Sequence, residues 1–155
     1  MKKITPFWIV IPAAAIFLAL SACAPQAPLR ASAADVSPNP LAGTSWKLVF
    51  YGPVSEPKGA LADVETNLTF GADGQLSGTL GCNSLGGGYT VTDQTITFGS
   101  IYMTEMACDE PRMTQESAAF DVLKDTATFT LEAETLTITS ADGNNMMSFI
   151  SIPGQ

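Results

Sequence analysis

The side chains best able to do chemistry in this chain are two cysteines with unusual neighbours. Cys82 lies in "SGTLGCNSLGGGY", from Ser77 to Tyr89, among five glycines, and Cys108 lies in "MTEMACDEPRM", from Met103 to Met113. Three chemistries compete for the first stretch: a phosphate cradle, a nucleophile loop and a structural corner. A phosphate loop ends in Gly-Lys-Ser/Thr and opens a helix. This stretch ends in Gly-Gly-Gly-Tyr and runs between strand-like segments. A nucleophilic cysteine needs a neighbour that lowers its pKa, most often histidine, and the chain has no histidine. The same absence removes Ser-His-Asp and Cys-His arrangements and most zinc sites, so no catalytic residue is expected. What remains is a corner: glycines for positive φ and close backbone approach, with Asn83 bonding nearby backbone or taking a left-handed conformation.

The second stretch admits one further chemistry. Met103, Met106, Cys108 and Met113 are soft sulfur ligands of the kind that suit Cu(I), although methionine also serves as flexible core filler. No other metal and no cofactor is expected. The acidic residues Asp109, Glu110 and Glu116 lie where they complement a helix N-terminus, and Glu116 can also act as a buried partner. Asp73 and Asp142, each within "ADG", read as turn residues, because neither begins an EF-hand spacing.

The compartment is written at the start of the chain. "MKK", the apolar run Phe7 to Leu20 and "LSAC" at residues 20–23 form an export signal. "LSAC" resembles the lipobox of bacterial lipoproteins, so cleavage is expected before Cys23, which then carries lipid. The apolar run is shorter than the ~20 residues of a membrane span. Ala24 in place of aspartate points to an outer membrane, facing the periplasm, in a cell that has one. With Cys23 consumed by lipid, Cys82 and Cys108 remain in an oxidising compartment, and one disulfide is the simplest use of both.

Removal of residues 1–22 leaves 133 of 155 residues, enough for one domain with a real core. Five basic residues then face fifteen acidic ones, and the formal charge moves from −8 to −10. Such a balance excludes nucleic-acid binding and charge-driven adhesion to anionic headgroups, and leaves the acyl chains as the means of membrane attachment.

These groups must be positioned by short strands. After an Ala/Pro/Ser-rich tether at residues 23–40, the domain runs over 41–155. "NLTF" and "QLSGTL" flank "GADG"; "YTV" and "TITF" flank "TDQ"; "TFTL", "LTITS" and "MMSFISI" form a meander. Phe129, Leu131, Leu136 and Ile138 alternate with threonine, the mark of a sheet with one buried face. One segment, "DEPRMTQESAAFDVLKD", reads as an amphipathic helix with Asp109 as cap, Pro111 in the first turn, and Met113, Phe120 and Leu123 on one face. The expectation is a mainly β (α+β) domain: an antiparallel, curled or barrel-like sheet of about seven or eight strands with one helix.

Read together, "LAGTSWKLV", "LTFGADGQLSGTLGCNSLGGGY", "ITFGSIYMTEMAC" and "MTQESAAFDVL" resemble the META domain family, which includes HslJ-like heat-shock lipoproteins, over about residues 41–150. The most specific matches are Gly81, Cys82 and Asn83, then Gly88 and Tyr89, then Thr104 with Met106, Ala107 and Cys108. The resemblance implies a small β-rich domain with a helix, no established enzymatic activity, and a place in the bacterial envelope connected with stress tolerance or secretion. It implies that both cysteines act together. Members often carry a basic residue after Gly-Cys-Asn, where this chain has Ser84 and Leu85, so a polar contact made there is lost.

The expected protein is therefore a lipid-anchored, monomeric, non-catalytic envelope protein working through an envelope protein partner. Two other readings are a barrel for a small apolar ligand, with Phe70, Phe98, Phe129 and Phe149 facing inward, and an unrecognised enzyme marked by a cleft of convergent carboxylates.

Overall fold

Threonine alternating with apolar residues folds here as that pattern requires. The computed structural model describes residues 39–153. The leader at 1–22, the lipidation site Cys23 and the tether up to Pro38 lie outside the described residues. Ten strands and one helix follow in order: β1 (Thr44–Pro53), β2 (Lys58–Gly59), β3 (Asn67–Phe70), β4 (Gln75–Thr79), β5 (Ser84–Thr92), β6 (Thr95–Phe98), β7 (Tyr102–Met103), α1 (Glu110–Leu123), β8 (Thr126–Glu132), β9 (Thr135–Ser140) and β10 (Asn145–Ser151). Eight of them, all but β2 and β7, pair antiparallel in a closed ring, because β10 returns to β1 after the chain has gone round. β2 adds to β1, and β7 adds to the start of β5. The domain is a closed eight-stranded antiparallel barrel with two extra strands and a single helix, mainly β.

Turn chemistry sets the hairpins. In "GADG", Asp73 Oδ1 accepts from Gln75 N–H at 3.0 Å and Gly74 takes φ +79°. The β5–β6 and β8–β9 turns need the same left-handed geometry, and there Asp93 (φ 53°) and Ala133 (φ 51°) supply it without glycine. β1 carries an irregularity in its pairing with β10 between Leu48 and Phe50. The extra residue, Val49, shifts the side-chain phase, so Trp46 and Leu48 point in before it and Tyr51 after it. Phe50 is thereby turned outward.

Inside the ring the largest fully buried side chains include Phe70, Phe149, Leu68 and Ile138. Phe98 and Phe129 are buried with them, as the alternation predicts. Leu131 differs from expectation and is exposed. β6 pairs with β8 only through Thr126–Thr128, so Leu131 lies on a stretch of the β8–β9 hairpin that overshoots its neighbour.

Helix α1 begins where "DEP" predicts, with Pro111 in its first turn and Asp109 at the cap position. Asp109 makes no side-chain cap bond; its carboxylate lies 3.4 Å from Arg112 Nε instead. The buried face also differs from the expected one. Of Met113, Phe120 and Leu123 only Leu123 is buried, and the buried stripe is Gln115, Glu116, Ala119, Val122 and Leu123. Its C-terminal half is apolar, and the helix packs on β1, β8, β9 and β10. Its N-terminal half is polar because it meets loop backbone that needs partners. Among the described residues no helix is long and apolar enough to cross a membrane.

Candidate functional site

The residues singled out by the two cysteine stretches converge on the polar half of α1. Leaving β4, the chain turns through Leu80, Gly81, Cys82 and Asn83, a turn whose backbone groups have no strand partner. Gln115, fully buried, donates from Nε2 to Leu80 C=O at 2.6 Å and accepts at Oε1 from Leu61 N–H at 2.8 Å. Glu116, 5 % exposed, accepts at Oε2 from Cys82 N–H at 2.9 Å and from Asn83 N–H, and at Oε1 from Asn83 Nδ2 at 2.7 Å. Gly81 permits the approach: a Cβ there would lie 2.6 Å from Arg112 O and 2.8 Å from Glu116 Cβ.

Asn83 then joins this turn to the segment after β7. Its Oδ1 accepts from Thr104 Oγ1 at 2.9 Å and from Met106 N–H at 2.7 Å. Thr104 also accepts from Ser84 N–H at 3.1 Å, and its own N–H donates to Ser84 C=O at 3.0 Å. Asn83 is 4 % exposed. Cys82 and Cys108 are joined by a disulfide across a Cα separation of 6.0 Å, which ties the same two segments covalently. Gly81, Cys82, Asn83, Thr104, Met106 and Cys108 thus form one clasp, closed from below by Glu116 and Gln115. Ala107 is exposed at its rim.

Gly88 and Tyr89 belong to a second corner. Tyr89 O–H donates to Gly71 C=O at 2.9 Å and accepts from Asn39 Nδ2 at 3.3 Å. Its ring stands edge-on to Phe70 at a centroid distance of 4.9 Å. Burial raises the Tyr89 pKa above the usual phenol value; the Asn39 bond opposes this and the charge of Asp73 adds to it. Gly88 C=O accepts from Gly99 N–H at 2.8 Å.

Two sequence expectations are corrected here. The glycines of "SGTLGCNSLGGGY" do not supply positive φ, nor does Asn83. They remove bulk: Gly86 lies against the Tyr102 ring and Gly87 against Ile101. The soft-metal set is also broken up. The Cys108 sulfur is held in the disulfide, Met103 packs against the core, and Met106 and Met113 are exposed. Chemically, the groups of the clasp are committed to one another: each Glu116 oxygen holds at least one N–H, and neither cysteine is a free thiol. Among the described residues no three His, Cys, Asp or Glu side chains converge as metal ligands.

Gln115 is the site residue that sequence reasoning misses. The only signal was the adjacent pair Gln115-Glu116 on the face that continues into Ala119, Val122 and Leu123, where polar residues contradict an all-apolar stripe.

The described depressions include two of about 680 and 530 Å³, lined largely by threonines and other polar groups, and one of about 520 Å³ lined by glycines, Tyr89, Phe98 and two threonines. The phenylalanines named for an apolar ligand instead fill the interior.

A family model described as META domain matches residues 39–151. Among solved structures, an NMR structure of a protein from Burkholderia xenovorans superposes with a TM-score of 0.62 at 23% identity, covering 74% of this chain and 85% of that one. A second NMR structure gives 0.54 at 21% identity, covering 69% and 88%. The crystal structure of a duf4847 family protein from Bacteroides vulgatus gives 0.52 at 14% identity, covering 74% and 96%. At these identities the likeness is one of fold. No curated protein matches the chain.

Proposed function

Since this chain belongs to the META domain family, we propose that it is a lipid-anchored, non-catalytic protein of a bacterial envelope. In this reading it serves stress tolerance or envelope integrity by binding a protein partner. Lipid on Cys23 holds the barrel at the membrane, and an outer membrane facing the periplasm is the proposed site.

One observation carries the reading. The segment fixed by the clasp presents its largest apolar side chains outward, Tyr102 at 70 % and Met106 at 53 % exposure, on a backbone that Asn83 holds in place. Aromatic residues and methionine are the types enriched at protein interfaces, and an anchor whose backbone is already ordered loses less entropy on binding.

Photo-crosslinking residues placed at 102 and 106, in the native host, test the partner. Both should yield a discrete adduct of the same mass. A crosslinker at Thr128, on the outer face of β8, should yield none, and Asn83→Ala should abolish the adduct at 106. Adducts absent at both positions, or equal at Thr128, would end the proposal. For the anchor, Cys23→Ala should move the protein from the membrane to the soluble fraction.

A further inference from the structure

Beyond this role, one depression on the barrel wall is furnished for a ligand of its own. It opens where the β1–β3 ladder ends at Trp46 and Leu68 and the chain leading into β3 diverges from β1. It measures about 530 Å³, within the range of ~300–1,000 Å³ usual for small-molecule sites. Its polar lining is Ser45, Lys47, Glu65, Thr66, Asn67 and Thr69, with Ile152 as one apolar wall.

The base of the depression is built, not incidental. Ser45 and Thr66 are both buried, Thr66 to 3 % exposure, and the Ser45 and Thr69 hydroxyls share a hydrogen bond of 2.9 Å. Ile152 N–H donates to Ser45 C=O at 2.9 Å and holds that wall in place. The Thr66 hydroxyl has no hydrogen-bond partner among the described residues.

The charges identify the ligand. Lys47 and Glu65 border the same depression, and neither belongs to an ion pair among the described residues, whose three bridges involve only Arg112 and Lys124 as cations. Lys47 and Glu65 are both exposed, and a neutral sugar would offer neither of them a charged partner. No aromatic ring lines the depression to stack on a sugar face. A molecule carrying both a carboxylate and an ammonium satisfies both charges with charge-assisted hydrogen bonds, leaving the hydroxyls and Asn67 for its remaining polar atoms. We infer that this depression is a binding site for a small zwitterion of the amino acid or dipeptide class, with Lys47 taking the carboxylate and Glu65 the ammonium.

The test is titration of the isotope-labelled full chain in detergent micelles with glycine, alanine and alanyl-alanine, followed by amide NMR shifts. N-acetylalanine, alaninamide and glucose serve as controls. Saturable shifts are expected at Lys47, Thr66 and Asn67, with each single-charge control at least about tenfold weaker and glucose silent. Lys47→Met and Glu65→Gln, both surface changes that leave the fold intact, should each weaken binding by about tenfold. No saturable shift by roughly 10 mM zwitterion, a response to the controls as strong as to alanine, or affinity unchanged in both variants would overturn the assignment.

Discussion

Replacing Glu116 by glutamine changes one oxygen to an amide and nothing in shape, which isolates what the carboxylate does. In the native domain three N–H groups converge on it: Cys82 N–H and Asn83 N–H at Oε2, and Asn83 Nδ2 at Oε1. A glutamine oxygen can keep the two backbone donors, but its NH2 then faces the Asn83 NH2. Either those two donors clash, or the Asn83 amide flips and turns its own NH2 toward Met106 N–H, which now donates to Oδ1. Both outcomes strand a buried donor, at a cost of about 1–3 kcal/mol, and the surviving bonds lose their charge-assisted strength. The expected loss is about 2–4 kcal/mol. For a domain of this size that is a fall in Tm of roughly 8–15 °C at neutral pH, read by circular dichroism with the disulfide intact and matched by urea unfolding. Asn83→Ala should cost a similar amount, and the double variant should fall short of the sum by about 1–3 kcal/mol, because both changes open the same network. A Glu116→Gln loss below about 0.5 kcal/mol, or strictly additive losses in the cycle, would refute the account of the clasp as one cooperative unit.

Cys82→Ser and Cys108→Ser should each destabilise the domain by about 3–4 kcal/mol, with little further loss in the double variant; additive losses in paired thermal melts would mean that the cysteines act separately. Gly81→Ala drives a methyl into Arg112 O and Glu116 Cβ, and should cost about 2 kcal/mol or more in urea unfolding. Ala133→Gly relieves a left-handed alanine at φ 51°, and should raise stability by about 0.5–1 kcal/mol in the same assay. Hydrogen bonds from Ser140 and then Asn144 lower the Asp142 pKa from 3.8 to about 2. Its folded-state contribution is thus present above pH 3.8 and lost as pH falls toward 2. Asp142→Ala should melt below the native protein at pH 7, and the gap should close over that window in a pH series of melts.

Legibility followed physical range. The strands and their turns are local, so "GADG" and the Thr alternation disclose them. The two cysteine stretches were legible as one feature because each carries a residue type with few uses. The helix face was not: Met113 and Phe120 share an apolar character with Leu123, but Met113 is exposed and Phe120 only half-buried, while Gln115 and Glu116 face backbone 33–54 residues away in sequence. Only the three-dimensional path of the loop reveals that a polar pair belongs inside. The same holds for the glycines of the corner. Sequence shows that bulk is forbidden or φ unusual, and the distinction between those two causes lies in which neighbour arrives.

β1 is bonded on one edge to β3 and on the other to β10, with Trp46 opposite Ser151. During synthesis this first strand must wait, with one edge unsatisfied, until the last seven residues of the barrel are available. Ring closure joins positions 92 to 105 residues apart, the kind of contact that slows folding most. Until then the edge can pair with a neighbouring chain. A nascent copy is thus most vulnerable to aggregation late, when nearly all of its strands are already paired.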